Sequence, residues 1–313
     1  MYKHSTEAFG AFTKHVLRNE STGHQLAILP EYGAIVLDLQ LHGISILDTY
    51  QTPPEVINNS WAKNTVLYPF PNRLKDGIYK SGGQTYRFFA NESHTNTAIH
   101  GFGQNKPMKV TFLEVDETSA AITCLYTDYG THEAYPFRFS VEMAFTLSDE
   151  KGFELQLTMR NHDEQVIPAG LGWHPYFALG PKADTYRLQM PECRLVGNDE
   201  RMLPTGKTYE YDDFSTLKPV GITVLDNCFE LPVQEGRAET LVQAEAGTLH
   251  YWQETGAGKY NFLQVFIPPL RHCIALEPMT CAPDAFNNGM GLAQLEPGEK
   301  LSGRFGVWLE KQV

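Results

Sequence analysis

The chain of 313 residues is 42% hydrophobic and 20% charged, the balance of an ordinary globular protein with material for a large core. Its net charge of −12 argues against nucleic acid or an anionic membrane surface as a partner. Cys124, Cys193, Cys228, Cys273 and Cys281 are scattered, odd in number and without CxxC spacing, which argues against a zinc site or a redox motif. The N-terminal MYKHSTEAFGAF lacks an apolar core of signal-peptide length. No stretch of about 18 apolar residues offers a membrane span, and the N-x-S triplets at Asn58 and Asn91 read as chance matches. A reducing cytoplasm is the expected setting.

In chain order, strand candidates fall at 34–41, 109–115 and 120–127. The clearest pattern follows. Phe137, Phe139, Val141, Met143, Phe145 and Leu147 alternate with polar residues, then Phe153, Leu155, Leu157 and Met159 do the same after the polar turn SDEKG. Period two on both sides of a short turn predicts a β-hairpin with one buried face. Further candidates lie at 185–190, 262–267, 273–276 and 304–309. No amphipathic helix longer than a few turns is evident. The 26 glycines and 19 prolines are spread along the chain, as many turns require. No linker, charge run or repeat marks a boundary, so residues 1–313 read as a single domain, a large antiparallel β-sandwich.

Three polar residues stand out. His100, in TAIHGFG, closes an apolar run and precedes glycines that let the backbone turn sharply. His174, in GLGWHPYF, has an aromatic setting in which burial shifts an imidazole pKa. Glu277, in IALEPMT, follows an apolar strand, where a carboxylate must be paired, hydrogen-bonded or functional. Each alone also fits a plain structural role, and a Glu before Pro usually marks a solvated strand edge. No Ser-His-Asp signature, phosphate-cradling glycine loop or HExxH motif competes with them.

The segment NRLKDGIYKSGGQTYRFFANESHTNTAIHG resembles the N-terminal signature of the aldose 1-epimerases, or galactose mutarotases. It supplies Asn72-Arg73, Gly77, Gly83, Tyr86, Asn91 and Ile99-His100-Gly101 at matching spacing. HPYF at 174–177, LDNCFEL at 225–231, LEPMTCAPDAFN at 276–287 and the closing LEPGEKLSGRFGVWL are similar to later motifs of that family, in its order. The resemblance covers about residues 33–309. It departs at Tyr68-Pro69-Phe70-Pro71, where the family commonly has Gly-Arg, at Phe102 in place of a second glycine, and at Ala178 in place of Asn.

The resemblance implies a galactose mutarotase-like supersandwich and a cofactor-free, metal-free isomerase that interconverts the α and β anomers of a free aldose. It implies Glu277 as general base and His174 as general acid. Arg73, His100 and Asp226 would hold the sugar, with Gln264 a weaker match. His174 and Glu277 are expected to face each other across a space fitting a pyranose ring. Nearby carboxylates are expected to keep His174 protonated, so that the acidic limb of the pH profile belongs to Glu277 and the basic limb to His174. Arg73 would fork onto two sugar oxygens, while Trp173, Tyr176 and Phe102 either stack on the sugar or pack the core. The partner is a small sugar, with no nucleic acid or membrane, and the protein a monomer or homodimer. A mutarotase for a phosphorylated or sulfonated sugar would need cations beside the pocket, for which Lys75, Arg87 and Arg271 are candidates. A non-catalytic carbohydrate-binding sandwich would not need the acid–base pair. A glycosidase would need two carboxylates at set separation, and only Glu277 is placed by motif.

Overall fold

A computed structural model describes residues 1–311. Strands make up 53% of it and helix 6%. The predicted hairpin is present: Arg138–Ser148 pairs antiparallel with Gly152–Asn161, with Phe139 opposite Asn161 and Ser148 opposite Gly152. Phe139, Val141, Met143, Phe145, Leu147, Phe153, Leu155, Leu157 and Met159 are all fully buried. Period-two patterning placed them on one face, and that face is the centre of the core.

This hairpin lies inside a nine-stranded sheet. On one side it continues through Ser119–Tyr129 to the edge strand Lys109–Val115. On the other it joins Lys300–Glu310, Gly247–Thr255 and Gly236–Ala244. An eight-stranded sheet contains, in spatial order, Pro204–Tyr211, Cys193–Asn198, Asp226–Glu230, Phe262–Phe266 and Ile274–Met279. Beyond them stand the short strands Gly172–Trp173 and Val66–Leu67. The N-terminal residues form a five-stranded antiparallel sheet from Lys3–Phe9 to Ile44–Ser45. One contiguous apolar core takes Leu26, Ile28 and Val36 from the N-terminal sheet, Phe139 and Leu155 from the nine-stranded sheet, and Leu263, Val265, Ile274 and Leu276 from the eight-stranded sheet.

The alternation within the eight-stranded sheet sets up everything that follows. Leu263, Val265 and Leu276 point into the sandwich core. Successive strand residues point to opposite faces, so Gln264, Phe266 and Glu277 point to the other side of the same sheet.

Among the strand ends that differ from expectation, two do so for clear local reasons. Residue 34 lies outside its strand, Ile35–Leu41, because Ala34 adopts a left-handed φ of 49°. The strand expected to stop at Leu276 runs on through Ile274–Met279, although it contains a proline, which has no ladder donor. Thr280 donates its backbone N–H to Leu171. Alternate residues of a strand share a side, so the Pro278 nitrogen faces that same neighbour, where the ladder is interrupted around His174. Glu277 is therefore a mid-strand residue rather than a solvated strand end.

Two substitutions on one hairpin strand test this frame. Phe139→Ala should cost about 3–5 kcal/mol through a core cavity. Glu142→Ala, on the solvated face, should stay within about 0.5 kcal/mol of the parent. Urea unfolding midpoints of the two variants would check the difference, and equal midpoints would reject the assigned facing.

Candidate active site

Strand register brings four of the six sequence-predicted residues together, and a separate ladder supplies the other two. Gln264 stands directly opposite Glu277 in one ladder. Asp226 pairs with Phe266 and Cys228 with Gln264 in the next, so Asp226 and Gln264 are diagonal neighbours on one face, within reach of each other. Gln264 Nε2 donates to Asp226 Oδ1 at 2.8 Å. On the far side of Glu277, Gly172 pairs with Met279 and Tyr176 with Ala275, so His174 falls across from Glu277. The backbone of His174 is held from behind by hydrogen bonds with Asn64 and Thr65.

Arg73 and His100 arrive on a separate two-stranded ladder, Arg73–Lys75 with Thr97–Ile99. Asn72 and His100, at its end, both take left-handed backbone conformations, φ 57° and 67°. The His100 N–H donates to Asn72 O at 2.8 Å, and the Asn72 N–H donates back to His100 Nδ1 at 3.3 Å. This clamp fixes the ring and leaves Nε2 to carry the imidazole hydrogen. Gly101 is required next: a Cβ there would lie 2.1 Å from Tyr68 O. Asn72 Nδ2 donates on to Gln264 Oε1 at 3.3 Å, which joins the two halves of the site.

These residues line one cleft of about 530 Å³ that contains Arg73, His100, His174, Asp226, Gln264 and Glu277. Its floor is buried, with Glu277 and His174 only 2% and 5% exposed. His174 Nε2 approaches Glu277 Oε1 to 3.4 Å, and Glu277 Oε2 has no hydrogen-bond partner among the described residues. The two groups thus touch, and no sugar ring fits between them as expected from sequence. They share one wall and present adjacent atoms to whatever sits above.

Charge on the floor also differs from expectation. Burial, with Asp226 adding to it, raises the Glu277 carboxyl well above its usual range against the pull of Arg73. Burial also raises Asp226, although Arg73 opposes it. Burial and the neighbouring His100 hold His174 well below the ordinary imidazole range. Burial and Arg73 press His100 down to about 3. The carboxylates that were to keep His174 charged are themselves driven towards neutrality, so burial favours the neutral form of both members of the pair.

Arg73 is also committed differently. Its Nε and Nη2 both lie 2.7 Å from the Glu92 carboxylate, a bidentate pair, so the fork expected to grip the sugar grips Glu92. Burial acts to raise Glu92, but hydrogen bonds from Arg73, Thr95 and Thr97 prevail and hold it at about 2. Glu92 lines the cleft. Its one mark in the sequence is its place in the middle of an N-x-S triplet.

Of the expected stacking aromatics, Tyr176 lines the cleft and lies parallel to His174, ring centroids 4.8 Å apart. Trp173 is fully buried, stacks on Phe305 and donates to Asn64 O at 3.1 Å. Phe102 stacks on His132 at 4.0 Å, away from the lining. Trp61 and Phe266 line the cleft instead. Lys75, Arg87 and Arg271 do not line it, and Arg271 is bonded to Asp184 and Gly221 O. Elsewhere, Asp48, His272 and Cys273 bring potential metal-ligating atoms within 4.8 Å of one another, but Lys63 Nζ lies 2.7 Å from Asp48 Oδ2 and already supplies positive charge there. All five cysteines are free and buried, and among the described residues no helix is long and apolar enough to cross a membrane.

A β-sandwich whose named strand pairs are antiparallel, with a buried carboxyl–imidazole pair on the floor of one cleft, has the galactose mutarotase-like fold. Solved structures agree on the fold. A galactose mutarotase-like protein from Clostridium acetobutylicum superposes with a TM-score of 0.87 at 21% identity, covering 100% of this chain and 99% of that one. The galactose 1-epimerase from Lactobacillus acidophilus NCFM superposes with a TM-score of 0.82 at 17% identity and the same coverage. The chain belongs to the aldose 1-epimerase family, whose model matches residues 15–308. Among curated relatives, the uncharacterized protein YihR of Escherichia coli K12 is 28% identical over 291 residues, 89% of this chain and 88% of its own length. YphB of the same strain, also uncharacterized, is 25% identical over 257 residues, 78% and 82% of the two lengths.

The Arg73–Glu92 pair makes a pH-dependent contribution of known sign. Glu92 is lowered from 4.5 to about 2, so its contribution is complete above about pH 4.5 and is lost as the pH falls through 2. The stability gap between the parent and Glu92→Gln should therefore narrow between pH 4.5 and 2. Parallel stability curves from urea melts across that range would contradict the assignment.

Proposed function

We propose that the protein is a mutarotase for a free, uncharged aldose, with Glu277 as base and His174 as acid. The observation that carries this reading is the 3.4 Å approach of His174 to Glu277 on the buried floor of the cleft. Ring opening removes a proton from the C1 hydroxyl, breaks the C1–O5 bond and delivers a proton to O5. The two reacting oxygens share carbon C1, so an acid and a base that touch suit them better than groups on opposite sides of the ring. Rotation about C1–C2 and reversal of both transfers close the other anomer.

Proton accounting is consistent with the resting charges. Neutral Glu277 beside neutral His174 holds one proton, and so does the working pair of carboxylate and imidazolium. One transfer across the existing contact converts the first into the second. The guanidinium of Arg73 favours the carboxylate form. Each positioned transfer contributes roughly 10²–10⁴-fold, which is adequate for a reaction that proceeds unaided in water. Asp226, Gln264 and Asn72 form a hydrogen-bonded line suited to fixing hydroxyl groups, and His100 Nε2–H adds a donor.

The charge of the lining supports a neutral substrate. Among the described residues, Arg73 is the only lysine or arginine there, and Glu92 already neutralises it; Asp226 and Glu277 are further acids. A phosphate or sulfonate would meet no uncommitted lysine or arginine. A purely binding role is disfavoured because an unsatisfied buried carboxyl costs stability without helping recognition of hydroxyls.

Glu277→Gln and His174→Asn should each lower kcat by about 10²–10⁴-fold, and the double variant should be little worse than either, since the pair acts as a unit. Polarimetry on freshly dissolved sugars would measure this, and near-full activity in Glu277→Gln would remove the base. The profile of kcat/KM against pH should be bell-shaped. Its acidic limb should carry the depressed pKa of His174 and its basic limb the raised pKa of Glu277, the reverse of the order that ordinary pKa values give; in His174→Asn only the carboxylate must form, so the basic limb should vanish and activity should rise as Glu277 ionises.

A further inference from the structure

A cluster of metal-ligating side chains lies outside the cleft. Asp48, His272 and Cys273 bring a carboxylate oxygen, an imidazole nitrogen and a thiol sulfur within 4.8 Å of one another, and none of the three lines the cleft. Register gathers them from distant parts of the chain. Leu47 bridges to Phe177, and Phe177 pairs with Ile274; all three side chains enter the main core. Successive strand residues point to opposite faces, so Asp48 and Cys273, one position away, turn to the other side. Because the ligands come from residues 48 and 272–273, no short cysteine spacing marks them in the sequence.

Asp48 Oδ2 is the common point. It lies 2.8 Å from His272 Nε2 and 4.0 Å from Cys273 Sγ. A tetrahedral zinc ion, with bonds of about 2.0–2.3 Å, separates its ligand atoms by about 3.3–3.7 Å. Both observed spacings fall within about 0.5 Å of that range, which small side-chain rotations supply. His272 Nδ1 has no hydrogen-bond partner among the described residues, so no second bond fixes the ring against such a turn.

The seat of a cation is already marked. Lys63 Nζ lies 2.7 Å from the same Asp48 oxygen, an ammonium where a metal ion would sit. This lysine side chain is not what holds its own loop. Asn59, Trp61, Ala62 and Asn64 have positive φ, 47°, 69°, 49° and 58°, a conformation that persists only where the surroundings over-determine it. They do so here through other groups. Tyr176 Oη donates to Trp61 O at 3.0 Å, and Tyr50 Oη donates to Ser60 O and accepts the Lys63 N–H. The Asn64 side chain links Asp48 O to the Tyr176 N–H. The ammonium can therefore leave while the backbone beneath it stays in place.

We infer that Asp48, His272 and Cys273 form a site for zinc or a similar thiophilic divalent cation, and that the metal takes the place of the Lys63 ammonium. The ligand types select the ion. Thiolate and imidazole favour zinc, whereas magnesium and calcium take oxygen ligands. A carboxylate and a thiolate together neutralise a divalent charge, so the filled site buries no net charge. Binding releases one proton, because a coordinating thiol is deprotonated; Lys63 leaves still protonated. The side chains of Asp48 and His272 are 19% and 40% exposed, which gives the ion an entry path and water a fourth position. This site stands apart from the reaction proposed above.

Cobalt(II), which enters zinc sites and absorbs strongly when bound to a thiolate, is the probe. Titrating it into the reduced, chelator-treated protein should give a thiolate-to-cobalt charge-transfer band that saturates at one equivalent and that zinc abolishes. Cys273→Ala should remove the band although Cys124, Cys193, Cys228 and Cys281 remain. His272→Gln should weaken binding at least tenfold. Lys63→Met removes the competing ammonium and should tighten binding about three- to tenfold, whereas a lysine with a purely structural role would leave affinity unchanged or lower it. Absence of the band from both the parent and Lys63→Met, its persistence in Cys273→Ala, or unaltered or weaker binding in Lys63→Met would overturn the proposal.

Discussion

The site depends on one register. Ile274–Met279 runs antiparallel to Phe262–Phe266 on one side and to the broken ladder of Gly172–Trp173 and Tyr176–Phe177 on the other. That arrangement puts Gln264 and His174 on the two flanks of Glu277. A slip of one residue would turn Glu277 into the sandwich core and Leu276 outward. The slip is opposed by the burial of Leu263, Val265, Ile274 and Leu276, which are at most 1% exposed. Hydrophobic packing on one face of the sheet thus sets the geometry of the cleft floor on the other.

Burial is a cost as well as a support. Sinking a carboxyl and two imidazoles into the floor drives all three towards their neutral forms. Neutral groups at 3.4 Å need little charge compensation at rest, and one internal proton transfer makes them an ion pair. The contrast with Glu92 is instructive. That carboxylate is also shielded from solvent, but three hydrogen-bond donors keep it ionised. Two acids in one cleft differ because one has donors and the other has a base.

Much of this was legible in the sequence. The hairpin could be read because one face is buried and the other wet, which writes period two into the residues. Lys3–Phe9 is largely exposed and His24–Leu29 is buried throughout; neither alternates, so neither carries the period-two signature of a strand. The six cleft residues were legible because they lie in motifs matching the aldose 1-epimerase pattern. Their mutual geometry was not, because distances arise from register between segments far apart in the chain. The pairing of Arg73 with Glu92 needed the turn that brings residues 92–97 back beside Arg73. Trp61 left no trace in any pattern, since an exposed aromatic on an irregular loop obeys no period.

The division between ladder and loop has an evolutionary consequence. Glu277 and His174 are held by backbone hydrogen bonds in and beside a central sheet, which cannot drift without loss of the core. Trp61 and Asn59 sit on a short segment joined to that sheet mainly through side-chain hydroxyls and amides from Tyr50, Tyr176 and Asn64. Such a segment can be exchanged or lengthened in descendants while the chemistry beneath it stays fixed. Divergence among these proteins is therefore to be sought at residues 59–64 rather than on the strands that carry Glu277 and Gln264.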